Sequence, residues 1–203
     1  LKDVNDPRLP MFADPAPAPK DPNDVYVGMP YGVVEAVAGS ITNDEISFPG
    51  AMVRESTSPG IMMTYSEVLF IQAEAAARGM IGGDAEALYE QAITASMEQW
   101  GVEAADIAAY LGEAGVAYDG LKSIGYQKYY ALYMTGLEAY SEFRRTGYPE
   151  LSPAPDAIEG REIPRRMGFP QAEKDLNAEN VAAAISRMGG DELSTKVWWD
   201  GGN

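Results

Sequence analysis

Thr64-Tyr65-Ser66-Glu67-Val68-Leu69-Phe70-Ile71-Gln72-Ala73-Glu74-Ala75-Ala76-Ala77-Arg78-Gly79 decides the fold class. Thr64 and Glu67 have the spacing of a capping box, in which two side chains satisfy early backbone groups of a helix. Tyr65, Val68, Leu69, Gln72, Ala73 and Ala76 recur at helical spacing and predict one face of a helix from about Tyr65 to Arg78. Gly79 is its natural stop. Beyond a short link at Met80–Gly83, Asp84 is placed to cap a second helix that ends at Gly101. Ala85, Leu88, Tyr89, Ala92, Ile93 and Trp100 form its expected buried face. So short a link requires two antiparallel helices.

Working outward, Ala85-x-x-x-Tyr89-x-x-Ala92 has the small-and-aromatic spacing of the second half of a tetratricopeptide repeat. No clean tandem copy follows, and one helix pair cannot bury both its own faces, so neighbours are expected. A short helix is predicted at Ala104–Leu111. A long one is predicted from about Ile124 to Arg145, capped by Ser123, with a stripe of Tyr129, Leu132, Tyr133, Gly136, Tyr140 and Phe143. That stripe reads as packing, with tyrosine hydroxyls reaching the rim. A last helix spans about Ala178–Met188, followed by an extended tail at Lys196–Trp199. Residues 1–60 differ: Pro7, Pro10, Pro15, Pro17, Pro19, Pro22, Pro30, Pro49 and Pro59 break regular structure. Short strands are expected there at Val25–Val27, Val33–Val37 and Met52–Glu55.

Composition narrows the chemistry. The 203 residues hold 31 acids against 15 Lys and Arg, a formal charge of −16, which disfavours nucleic acid and anionic membrane faces as partners. Histidine and cysteine are both absent, which removes Ser-His-Asp and Cys-His catalysis, most zinc sites and disulfides. No apolar run approaches the roughly 18 residues needed to span a bilayer.

Each candidate site has a plainer alternative. Glu138 and Glu142 stand four apart on one helix face, as a hydrolytic carboxylate pair could, but a chain this acidic produces such pairs by chance. Asp21-Pro22-Asn23-Asp24 is oxygen-rich without calcium-loop spacing, so no metal or cofactor is expected. The pairs Arg144-Arg145 and Arg165-Arg166 could clamp an anion, but the expected role is to knit loops to carboxylates. Trp198 and Trp199 could stack on a sugar, yet read better as packing of the chain end. Tyr26, Tyr31 and Phe48, in the loop-rich stretch, are the candidate ligand-binding residues. No catalytic residue is assigned.

Several motifs, specific as a set, carry a family resemblance: Asn5-Asp6-Pro7-Arg8-Leu9, then Tyr26-x-Gly28-x-Pro30-x-Gly32, then Met63 through Ala75. To these add Arg144-Arg145-Thr146-Gly147-Tyr148-Pro149 and Ile163 through Asn180, where Glu173, Asn177 and Asn180 stand at the family's Glu and two Asn. Together they resemble the C-terminal region of SusD/RagB outer-membrane nutrient-binding lipoproteins. The resemblance implies a mainly α fold, with tetratricopeptide-like helix pairs, long irregular loops and a few short strands. Residues 1–203 would form the C-terminal portion of one such domain, whose N-terminal half is absent. Within it, 1–60 would be the loop-rich ligand side, 61–147 the helical repeat-like part and 148–203 the C-terminal loops, helix and tail. The implied function is non-enzymatic capture of an extracellular nutrient, a glycan or a peptide, at the outer-membrane surface. The implied partners are a SusC-like TonB-dependent transporter and the N-terminal half of the same protein. A lipid on the absent N-terminus would be the anchor. Two other readings stay open at this point: a helical glycoside hydrolase using a carboxylate pair, and a protein-binding helical-repeat scaffold.

Overall fold

The computed structural model describes residues 1–158 and 161–200. In chain order its helices are α1 (Leu9–Phe12), α2 (Glu35–Ala38), α3 (Ala51–Arg54), α4 (Tyr65–Ala77), α5 (Ala85–Gln99), α6 (Ala104–Leu111), α7 (Gly120–Ala131), α8 (Gly136–Thr146), α9 (Gln171–Leu176) and α10 (Ala178–Met188). Short 3₁₀ turns occur at Lys2–Val4, Asn43–Glu45 and Trp198–Asp200. None of these helices is long and apolar enough to cross a membrane.

The chain divides into two units. The first comprises Leu1–Met29 and Gly39–Pro149; the second comprises Pro30–Ala38 and Glu150–Asn203.

The first unit is built on the antiparallel pair α4 and α5, against which α7 packs. Thr64 Oγ1 accepts the Glu67 amide at 3.1 Å, and Asp84 Oδ1 accepts the amides of Glu86 and Ala87, so both caps form where the sequence places them. The core is Leu69, Phe70 and Ala73 of α4, Tyr89, Ala92, Ile93 and Met97 of α5, and Ile107 and Tyr110 of α6, closed by Val116 and Ile124. The buried face of α4 is rotated from the expected one. Tyr65 is 70% exposed, while Ser66, Glu67 and Glu74 are buried. The rotation has a chemical reason: Glu74 meets two partly exposed arginines at the edge of the core. Arg145 of α8 donates from Nη1 to Oε1 at 2.6 Å and from Nη2 to Oε2 at 2.5 Å, and Arg78 Nε adds a bond at 2.8 Å. Glu142 takes both Arg145 and the buried Lys128, at 2.8 and 2.9 Å.

Two further expectations are corrected. The single helix Ile124–Arg145 is two helices, α7 and α8, parted at residues 132–135, where Met134 adopts a left-handed φ of 73°. Ser123 is not its cap; it lies inside α7, where its hydroxyl accepts the Asp119 amide and donates to the Gly120 carbonyl. The expected strands are absent among the described residues, which hold one isolated antiparallel bridge, Ala13 with Pro49. Met52–Glu55 falls mostly in α3 and Val33–Val37 runs into α2. Val25–Val27 is extended but bonds to loop backbone and a serine hydroxyl. Short valine-rich runs suit a strand or one helical turn equally well, and with no sheet to join they take the turn or stay single.

In the second unit α9 and α10 meet at Asn177, and Gly189 ends α10 with a φ of 84°. Asn180 Nδ2 donates to Asn177 Oδ1 at 2.6 Å, and Asn177 Nδ2 to Glu173 Oε2 at 3.4 Å, so the Glu and two Asn of the motif form one chain of bonds. Asp191 gathers Lys174, Arg166 and the Phe169 amide, which together hold its carboxyl well below the usual range. Arg165 forks onto Asp200, with Nε to Oδ2 at 2.7 Å. The expected extended tail is instead a 3₁₀ turn, with Trp198 79% exposed.

Candidate functional site

The loop-rich segment is mounted on a buried polar anchor at its start. The side chains of Asp6 and Arg8 are fully buried. The Arg8 guanidinium donates to Asp6 Oδ1 and Oδ2 at 2.9 and 2.6 Å, to Ser96 Oγ at 2.9 Å and to Gln127 Oε1 at 2.9 Å. The Tyr110 hydroxyl donates to Asp6 Oδ2 at 3.1 Å and accepts from Gln127 Nε2 at 2.7 Å. A charge pair taken wholly out of water is tolerable only when its remaining donors and acceptors are satisfied, as they are here. Asn5-Asp6-Pro7-Arg8 therefore staples the chain to α5, α6 and α7.

Phe12, at the end of α1, continues the staple. Its ring stacks on Tyr133 with centroids 4.2 Å apart and meets Trp100 edge-on at 4.8 Å. The chain then leaves the core at Asp14 and returns at Gly50. Both feet of this excursion are tied together: Asp14 N donates to the Phe48 carbonyl and Gly50 N to the Phe12 carbonyl, each at 2.9 Å. Arg54 of α3 pairs with Asp14. Gly50 is required sterically, since a Cβ there would stand 2.5 Å from the Met11 carbonyl oxygen. Inside the excursion Ala16 N bonds to the Val25 carbonyl, Ala18 N to that of Asp44 and Ser47 N to that of Val27.

These bonds set Tyr26 beside the Ser47–Phe48 backbone. Tyr26 is half-buried and Phe48 is 44% exposed. Tyr31, also exposed, belongs to the second unit. Thus the backbone bonds bring Tyr26 and Phe48 near one another in the first unit.

Soon after Phe48 the chain enters α3, and Met52 and Val53 form one wall of a cleft of about 370 Å³, within the size range of small-ligand sites. Ile61, Trp100 and Met134 complete its apolar lining, while Ser58 and Gln99 offer polar groups. Trp100 and Met134 were missed by sequence reasoning. Trp100 reads as core, and it is nearly buried, but one edge faces the cleft. Met134 is exposed in a backbone conformation that costs a non-glycine residue about 1 kcal/mol. Thr135-Gly136 behind it was the available signal for a break.

The other candidates have found structural work. Arg144 lies over the Tyr140 ring at 5.3 Å, and Arg145, Arg165 and Arg166 are in carboxylate pairs. Burial pushes Glu142 up, but hydrogen bonds from Arg145 and Lys128 outweigh it and leave the carboxyl below its ordinary value, the reverse of what a proton donor needs. Asp24 binds Lys2 Nζ at 2.5 Å and Asp21 accepts from Asn23. Among the described residues no group of three or more acids could hold a metal ion.

Comparison with known proteins places this geometry. The family model described as "Starch-binding associating with outer membrane" (SusD-like) matches residues 1–170. The chain belongs to the SusD-like family. A solved structure named as a chitin-binding protein is 32% identical over 98% of this chain and 48% of its own, with a TM-score of 0.80. A chitin-binding SusD homologue from Flavobacterium johnsoniae is 33% identical over 98% of this chain and 47% of its own, at 0.77. A SusD homologue from Bacteroides fragilis NCTC 9343 is 30% identical over 98% and 50%, at 0.80. The chain thus spans about half the length of the structures it matches. No curated protein matches it.

Proposed function

We propose that this chain is the C-terminal portion of a glycan-capturing protein of the bacterial outer-membrane surface, and that the Tyr26–Phe48 platform and its adjoining cleft belong to the ligand-facing side. The observation that carries the reading is the match to two chitin-binding relatives over nearly the whole chain at about one-third identity. Chemistry agrees with it. Exposed aromatic rings offer the flat apolar surface on which the C–H face of a pyranose stacks, and nearby backbone and side-chain groups take its hydroxyls. Binding needs no covalent step, which suits a chain without histidine or cysteine. A neutral polysaccharide also avoids repulsion from the net charge of −16.

In the whole protein the platform would combine with an N-terminal half of the same fold. A lipid anchor on that side would hold the protein at the surface, and the captured oligosaccharide would pass to a SusC-like TonB-dependent transporter. Tyr26 and Phe48 are the proposed ring contacts of the platform, and Tyr31 is a separate candidate contact of the second unit. Isothermal calorimetry with chito- and malto-oligosaccharides tests the capture step. Co-purification with the transporter barrel tests delivery. Absence of any oligosaccharide binding by the chain and by the whole protein would sink the reading.

A further inference from the structure

We propose that the first unit carries a second carbohydrate site, a cleft of about 410 Å³ at the start of α7, and that it accepts neutral pyranosides in preference to acidic ones. This inference rests on the glycan-binding reading above, but not on the Phe48 platform. Tyr89 borders this cleft and Trp100 the other. The two stand near opposite ends of α5, about 16 Å apart along its axis at 1.5 Å per residue.

Lys122, Tyr126 and Tyr130 follow one another at i, i+4 and i+8, so they form a single stripe along α7, and all three line the cleft. Asp3, from the start of the chain, and Asp119, the N-cap of α7, also line it. The side chains of Asp3, Asp119 and Lys122 make no hydrogen bond or ion pair among the described residues, whereas most other cations of the first unit are engaged with carboxylates. Two tyrosine rings flanked by uncommitted carboxylates and an ammonium are the groups that read a sugar: rings for the C–H face, carboxylates for paired hydroxyls, ammonium for an oxygen lone pair.

The walls are preorganised. Gln127, beneath the cleft, is locked by Arg8 and Tyr110. The Tyr89 hydroxyl donates to the Val116 carbonyl at 2.6 Å, which fixes the loop opposite α7. Ser123 ties the turn that leads into the helix. A site whose walls are held before the ligand arrives loses little entropy on binding. Charge sets the class: two aspartates against one lysine, in a chain of −16, repel uronate and sulfate groups.

The test uses four proteins: the native chain, Ala117→Trp, Phe48→Ala and Lys122→Ala. Ala117 is exposed on the cleft wall, so an indole there fills the space without removing packing. Lys122→Ala, also at an exposed position, serves as the variant that removes no packing. Calorimetry with chitohexaose and with an oligogalacturonate probe is expected to give two classes of site for the neutral sugar. Ala117→Trp should remove one class and Phe48→Ala the other, and Lys122→Ala should weaken the α7 class by about tenfold. Galacturonate should bind the α7 cleft at least about tenfold more weakly than chitohexaose. If Ala117→Trp and Lys122→Ala leave every parameter unchanged while Phe48→Ala abolishes binding, the second site is overturned and the capture reading stands. Loss with Ala117→Trp but not Phe48→Ala keeps this cleft and removes the platform. No binding of either sugar by the native chain and by the whole protein overturns both.

Discussion

Arg145 on α8 reaches the carboxylate of Glu74 on α4 with two parallel bonds of 2.6 and 2.5 Å. The same guanidinium also holds Glu142, one turn back on its own helix. The Arg-Arg-Thr-Gly-Tyr-Pro motif is thereby tied to the last turn of α4.

Arg145→Lys keeps the charge and loses the fork, because an ammonium cannot make two coplanar bonds to one carboxylate. Arg145 is 41% exposed at its side chain, so solvent screens part of the effect. The expected loss is about 1 kcal/mol, read as a lower urea midpoint with an unchanged slope. A shift as large as that of a core truncation would show that the fork does more than join two helices.

Glu67 and Glu74 respond to pH in opposite directions. Hydrogen bonds from Arg145 lower Glu74 below its ordinary 4.5, so its stabilisation is complete above pH 4.5 and disappears as pH falls through the lowered value. Burial raises Glu67 above 4.5, despite the attraction of Lys128. Its ionisation therefore costs stability as pH rises from 4.5 through the raised value. Glu67→Gln is expected to raise the melting temperature at pH 7 and to do nothing at pH 4. Glu74→Gln should lower it at pH 7, with the deficit shrinking in acid. Melting curves at both pH values check the signs.

Truncating Arg8 leaves the Asp6 carboxylate buried without its partner. Arg8→Met is expected to cost about 3–5 kcal/mol. Adding Asp6→Asn should recover part of that loss, since no bare charge then remains inside. Chemical denaturation of the two single variants and the double variant measures the coupling. Simple additivity would contradict the account of the anchor given above.

Gly125 sits where a Cβ would come 2.6 Å from the Tyr148 Cβ, whereas a Cβ at Gly136 meets nothing within 4 Å. Gly125→Ala is expected to destabilise by about 1–3 kcal/mol. Gly136→Ala, at the first residue of α8, should be neutral or stabilising by about 0.4–1 kcal/mol. Equal effects at the two positions would show that the α7–Tyr148 approach is not tight.

Phe48→Ala should weaken oligosaccharide binding by about tenfold, a loss comparable to one stacking contact. Its melting temperature should stay within a degree or two of the native chain, because Phe48 is 44% exposed and outside the core. Affinity gel electrophoresis beside a thermal melt separates the two effects.

The α4–α5 pair was legible because capping residues and apolar spacing agree there, and α6 and α10 have the expected bounds. Two features were not legible for one reason: the decisive partner is distant in sequence. Glu74 looks like a surface residue until Arg145, 71 positions away, is seen to meet it. Trp100 looks like pure core until Met52 and Ile61 are brought to its edge. The break at Met134 escaped for another reason, since left-handed backbone is signalled by glycine and here a methionine carries it. Tyr26 and Phe48 were placed correctly in a loop, but their proximity depends on backbone bonds between segments that have no periodicity to read.

The excursion from Asp14 to Gly50 has its two feet bonded side by side on a helical body whose apolar core is drawn mainly from outside it. Such a mount works like a socket. The first-unit parts of that segment can lengthen at little cost to the helical body, because the cost of a longer tether rises only with the logarithm of its length.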